Sequence, residues 1–146
     1  MGHIMNVFTR LLARLLGSDK LAYAQAIVSR DVAQDITRFA HSTHPREFSA
    51  YLKGVVKNGM LRVNGLEYQH YWSDETETVV QQNLPLLSEA VGFVHSHPDG
   101  PLKPSRTDLR SFAKEGIFHL IVGPRRGYYG FAAFDGRGRR VPFSIA

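Results

Sequence analysis

Val91-Gly-Phe-Val-His95-Ser-His97-Pro98 decides the reading of this chain: an apolar strand that ends in two histidines one residue apart. Side chains two apart on a strand project from the same face, so both imidazoles can converge on one ion while Ser96 points to the other side. The following stretch, Pro98-Asp-Gly-Pro-Leu-Lys-Pro104, carries strong turn chemistry. It is long enough to fold back and present Asp108, in Ser105-Arg-Thr-Asp108, beside the histidines. Two nitrogen donors and a carboxylate leave one position of a zinc tetrahedron for water, whose pKa zinc lowers to about 7. The stretch reads as a catalytic zinc site.

The same residues have a plainer reading. Pro104-Ser105-Arg-Thr-Asp108-Leu109 also fits a helix start, with Ser105 as N-cap and Asp108 three residues on, near the positive end of the helix dipole. His-x-His alone occurs on many surface strands. Residue by residue both readings stay open, and only the joint occurrence of His-x-His-Pro with the downstream Ser and Asp favours the metal.

That joint pattern resembles the JAMM (MPN-plus) metalloproteases, whose signature is a distant upstream Glu, then His-x-His-Pro, then Ser and Asp three apart. Here the upstream member is Glu47 in His44-Pro-Arg-Glu47-Phe-Ser-Ala-Tyr-Leu-Lys-Gly54, where an acidic residue opens an apolar strand. The resemblance runs from Tyr23 to the C-terminus. It implies a cytidine-deaminase-like MPN fold in which His95, His97 and Asp108 bind zinc, Glu47 is the general base and Ser105 hydrogen-bonds the developing oxyanion. A carboxylate beside an activated water can take its proton and return it to the leaving amine. A metal and a hydroxyl can share the negative charge that develops.

The resemblance further implies a zinc isopeptidase that removes ubiquitin-like modifiers from lysines, the modifier's extended C-terminal tail being added along a strand edge. The short spacing from Glu47 to His95 leaves no room for the large insertions with which some eukaryotic relatives grip ubiquitin, so a minimal archaeal or bacterial type is expected. Three alternatives remain: trimming the C-terminus of a ubiquitin-like sulfur carrier, a scaffold of the same fold without catalysis, and a DNA-repair-associated role.

With 146 residues and 43% hydrophobic content, the chain suits one compact domain. The absence of cysteine excludes disulfides and thiolate chemistry, so a metal must rely on His and carboxylate. A net charge of +5 raises nucleic acid as a partner, but the basic residues are dispersed and no nucleic-acid-binding signature accompanies them. No apolar run approaches the roughly 20 residues that span a bilayer, and no signal peptide is evident, so a cytoplasmic location is expected. Met1-Gly-His-Ile before Met5 resembles a cloning leader.

Residues 1–22 read as that leader plus an amphipathic helix, Asn6–Leu16, with Arg10 and Arg14 opposite its apolar face. Packing, self-association or membrane contact would each suit it. Residues 23–146 read as the catalytic domain, a mixed and mostly antiparallel sheet with a few helices around it. Strands are expected at 24–28, 48–56, 61–72, 91–97, 118–122, 128–134 and 140–145, and helices at 29–41, 76–87 and 107–114. Asn58-Gly59 and Asp135-Gly136 mark hairpins. Glu67, Glu75, Glu77 and Glu89 read as surface charge, and His41 and His44 as helix-end residues without a metal.

Overall fold

The computed structural model describes residues 23–68, 90–114 and 116–146. The Asn6–Leu16 helix, the 76–87 helix and the 69–72 end of the third strand fall outside these residues. Strand β1 (Gln25–Val28) leads into α1 (Arg30–Thr43), whose first turn is closed by Ser29 accepting a hydrogen bond from the N–H of Val32. Asp31 adds negative charge where the helix dipole is positive. Val32, Ala33, Ile36 and Ala40 form its buried stripe, and the helix stops at His44, ahead of Pro45.

Strands β2 (Ser49–Lys57) and β3 (Met60–Tyr68) form the expected hairpin. Asn58 and Gly59 both take positive φ, 53° and 73°, the geometry whose twist matches the flanking strands. Then come β4 (Ala90–Ser96), α2 (Arg106–Lys114), β5 (His119–Arg125) and β6 (Tyr128–Phe134). Two short strands, β7 (Arg140–Val141) and β8 (Ser144–Ile145), finish the chain.

The strands form one sheet in the order β7-β6-β5-β4-β2-β3-β1-β8. Pairs β1/β3, β1/β8 and β4/β5 are parallel and the other four antiparallel, so the sheet is mixed and mostly antiparallel, as expected. The expected single strand over 140–145 is in fact two. Pro142 cannot donate to a ladder, and the chain crosses there from one end of the sheet to the other. Because only Pro142 and Phe143 separate β7 from β8, the sheet must curl until its two edges approach. The β6/β7 connection is also longer than a turn on Asp135-Gly136. The Asp135 carboxylate accepts the N–H groups of Arg137 and Arg139, and the positive φ falls on Gly138.

Alternation along β5 and β6 supplies two cores. Leu120, Val122 and Ala133 face the α1 side with Ile36, Leu52, Leu61 and Val94. Ile121, Ala132 and Phe134 face Phe112 of α2. Each large apolar side chain fully buried in this way stabilises the fold by about 1.5–3 kcal/mol.

One contact fixes β5 beside β4. The N–H groups of Ile117 and Phe118 both donate to the carbonyl of Val91, and the chain passes so close that a Cβ on Gly92 would lie 1.6 Å from the Phe118 carbonyl oxygen. Gly92→Ala is therefore expected to lower stability in urea unfolding by about 3 kcal/mol. Gly65→Ala, where the new methyl meets only the Lys53 side chain at 3.5 Å, should change it by less than about 1 kcal/mol. Equal effects at the two positions would mean that this crossing is not tight.

Candidate metal centre

His95 lies near the end of β4, opposite Ser49 of β2 and Ile121 of β5. His97 is the first residue beyond the strand, yet its N–H still donates to the Val122 carbonyl, so the extended backbone carries it onto the His95 face. The two Nε2 atoms are 3.0 Å apart. Asp108 completes the group, with Oδ1 3.0 Å from Nε2 of His95 and Oδ2 3.2 Å from Nε2 of His97. Nδ1 of His97 sits 3.0 Å from the carbonyl of Pro101. Donation there puts the proton on Nδ1 and leaves the Nε2 lone pair facing the other donors.

These donors fit a metal. Bonds of about 2.0–2.1 Å to a tetrahedral zinc would set neighbouring ligand atoms about 3.3 Å apart, close to the separations found. Lone pairs from two neutral imidazoles at 3.0 Å repel unless a proton or cation lies between them. Among the described residues, His95, His97 and Asp108 are the one group of His, Cys, Asp and Glu able to hold a metal ion. Burial, reinforced by any charge on His97, holds His95 below its ordinary pKa, against the opposing charges of Asp108 and Glu47. Neutral imidazole is the form that binds metal.

One arrangement accommodates both the capping reading of Ser105 and Asp108 and the approach of the Asp108 carboxylate to the histidines. Asp108 N–H donates to Ser105 Oγ at 3.1 Å, and Ser105 N–H donates to Asp108 Oδ2 at 2.7 Å, a reciprocal capping box at the start of α2. The box fixes the carboxylate with its two oxygens toward the two histidines. Burial pushes the Asp108 pKa up, but the Ser105 hydrogen bonds and the histidines outweigh it, so the group stays below the usual carboxylate value. Ser105 Oγ uses a lone pair in the box, which leaves its hydroxyl proton to be donated elsewhere.

Glu47 is exposed and precedes β2. Continuing the Ser49–His95 register puts it opposite His97, on the histidine face of the sheet. Among the described residues no hydrogen bond or ion pair joins its carboxylate to the three donors, although its charge acts on His95. Ser96, between the histidines, secures this segment: its Oγ accepts the Phe48 N–H at 2.7 Å and its N–H donates to the Phe48 carbonyl at 2.8 Å. The sequence reading sent Ser96 to the opposite face and missed this role. Neither His41 nor His44 belongs to the converging group, and His41 contacts Tyr129.

His119 was also missed. It is fully buried, stacks on Phe112 with 4.3 Å between ring centres, and accepts the Phe93 N–H on Nδ1 at 3.3 Å. Pairing of β4 with β5 starts only at Val94, so this ring nitrogen takes the place of a ladder carbonyl. Among the described residues its Nε2 makes no well-formed hydrogen bond, although the carbonyls of Phe112 and Gly116 face the ring. Burial, reinforced by any charge on His95, drives its pKa down to about 3, against the opposing pull of the Phe112 and Gly116 carbonyls and the Asp135 charge. A lone His inside the apolar run Phe118–Val122 was the available signal.

A curled mixed sheet with two strand-end histidines and a helix-capping aspartate defines a domain of the JAB/MPN class. The family of prokaryotic homologs of the JAB domain matches residues 29–135. A "probable metalloprotease" of Haloferax volcanii is 34% identical over 119 residues, with 73% of each chain covered. A crystal structure of a JAB1/MPN domain protein from Archaeoglobus fulgidus superposes with a TM-score of 0.61 and 26% identity, covering 84% of this chain and 98% of that one. A solved structure described as JAMM, a metalloprotease-like zinc site in the proteasome and signalosome, superposes at 0.60 with 23% identity, covering 84% and 99%, and shares the fold. The chain belongs to the prokaryotic JAB-domain family, a metalloprotease-like family of JAMM/MPN proteins.

The buried histidines make the metal-free protein acid-sensitive. Below pH 6.5 the unfolded chain takes up a proton that folded His119 refuses until about pH 3, so stability is lost as pH falls through that window, by up to about 1.4 kcal/mol per pH unit. His95 acts in the same direction. Asp108, whose folded pKa is depressed, adds a further loss as pH falls through that value. With a chelator present, the urea midpoint should drop as pH is lowered from neutrality, and His119→Phe should flatten the slope. An unchanged slope in the variant would refute this assignment.

Proposed function

We propose that this chain is a zinc-dependent isopeptidase that cleaves the amide joining the C-terminus of a ubiquitin-like modifier to a lysine. The observation that carries the reading is the convergence of His95, His97 and Asp108: the two Nε2 atoms lie 3.0 Å apart, and each has an oxygen of the Asp108 carboxylate within 3.2 Å. Membership of a family with a relative named a probable metalloprotease supports it.

His95, His97 and Asp108 would hold the zinc. Bound there, zinc supplies a Lewis acid that lowers the pKa of a water to about 7 and helps neutralise charge on the scissile carbonyl. Glu47, on the same face and opposite His97, takes the proton of the attacking water and returns it to the leaving amine. The Ser105 hydroxyl, oriented by the capping box, donates to the developing oxyanion. The Pro101 carbonyl holds the His97 ring in its tautomer through the reaction. Isopeptide and linear amide present the same carbonyl to this machinery, so the lysine specificity rests on the family resemblance.

Mass spectrometry of zinc-loaded protein with a modifier–lysine conjugate tests the reading. Cleavage after the terminal glycine is expected. Glu47→Gln should keep its zinc and lose at least about a hundredfold in kcat. Ser105→Ala should lose about a hundredfold in kcat and also about 1 kcal/mol of stability from the missing cap. An intact conjugate beside fully bound zinc would defeat the isopeptidase reading, and full activity in Glu47→Gln would remove Glu47 as base.

A further inference from the structure

Among the described residues, part of the outer side of β6 has no strand partner. Arg126-Gly127 joins β5 and β6 as a two-residue turn, so Arg125 and Tyr128 form the closing hydrogen-bonded pair and Gly123 with Gly130 the next. Pro124, which has no N–H, sits opposite Tyr129, as that alternation requires. The N–H and C=O groups of Tyr129 and Phe131 therefore face away from β5. On that side β7 pairs only with Ala133 and Phe134, so the edge at Tyr129 and Phe131 has no strand partner among the described residues.

This edge borders a groove of about 590 Å³, lined from the other end of the sheet by Phe143 and Ile145. It lies where the curled sheet brings β6 toward the C-terminal segment without pairing the two. Lys103, Arg125 and Arg140 line it, and among the described residues no carboxylate does. Among the described residues none of these three cations forms an ion pair. Pro101, whose carbonyl orients His97, belongs to the same lining, so the groove adjoins the metal centre.

We propose that this groove recognises an extended acidic peptide segment. The segment adds to β6 as a strand, pairing its backbone with Tyr129 and Phe131, while its carboxylates meet Lys103, Arg125 and Arg140. Cations beside aromatic rings also suit single-stranded nucleic acid. The open strand edge favours the peptide, because only a polypeptide backbone offers alternating N–H and C=O groups at ladder spacing. That the segment belongs to the protein being cleaved rests on the function proposed above; the binding itself does not.

The test is fluorescence anisotropy with a short labelled peptide in which Glu alternates with Thr. Three comparison probes are the same peptide with Gln for Glu, the same peptide N-methylated at alternate amides, and single-stranded oligothymidylate. The acidic peptide should bind in a salt-sensitive way, and both modified peptides should bind at least about tenfold more weakly. R125E/R140E should lose at least about tenfold as well, while its circular dichroism and zinc uptake stay those of the wild type. Backbone amide signals of Tyr129 and Phe131 should shift on binding. Failure of the acidic peptide to bind, equal binding of the Gln peptide, tighter binding of oligothymidylate, or no effect of R125E/R140E would each overturn the proposal. Lost binding with hydrolysis intact would count against the groove alone, and absent hydrolysis with binding intact against the isopeptidase reading alone.

Discussion

Two imidazole nitrogens and a carboxylate are aimed at one small volume from three directions, where their lone pairs repel unless a proton or a cation lies between them. That constraint organises much of the surrounding structure. His97 is locked in one tautomer by the Pro101 carbonyl, Asp108 is locked by the capping box of α2, and His95 rests on β4 between β2 and β5. Each lock removes freedom that a donor would otherwise use to turn away. A flexible group in the same place would relieve the repulsion by rotating, and the site would not persist.

The sheet supplies the locks through its register. Gly92 lets the 117–118 backbone cross tightly, which seats β5 beside β4, and His119 then takes the hydrogen bond that the late start of β4/β5 pairing leaves at Phe93. Phe112 links the two ends of this arrangement, since it stacks on His119 and lies in the same helix as Asp108. Ser96 plays the matching part toward β2, where its two bonds to Phe48 hold the segment that begins with Glu47. Burial keeps both His95 and His119 neutral, which favours metal binding at the first and a simple acceptor at the second.

Much of this was legible in the residues. The period-two alternation of β4, the Asn58-Gly59 turn, the Ser29 cap and the stop before Pro45 follow from local chemistry, and local chemistry won at those positions. His95, His97 and Asp108 were readable because strand periodicity and a turn-rich loop bring them together. What could not be read depends on distant partners. Pro142 marks a break within 140–145, but that the halves pair at opposite ends of one sheet is a consequence of global curl. Ser96 and His119 serve strands far away in the chain, and no spacing rule connects Ser96 to Phe48 or His119 to Phe93. The capping and ligand readings of Asp108 look like competitors only because sequence does not reveal that the carboxylate can accept the Ser105 N–H on Oδ2 and still turn both oxygens toward the histidines.

X-ray absorption at the zinc edge, on protein titrated with zinc, shows directly whether His95, His97 and Asp108 hold the ion. A single tightly bound ion is expected, with two imidazole nitrogens and a carboxylate oxygen as its protein ligands, lost when His95 and Asp108 are both replaced by Ala. Zinc held with the same ligand signature in that double variant, or no tight zinc in the wild type, would contradict this assignment.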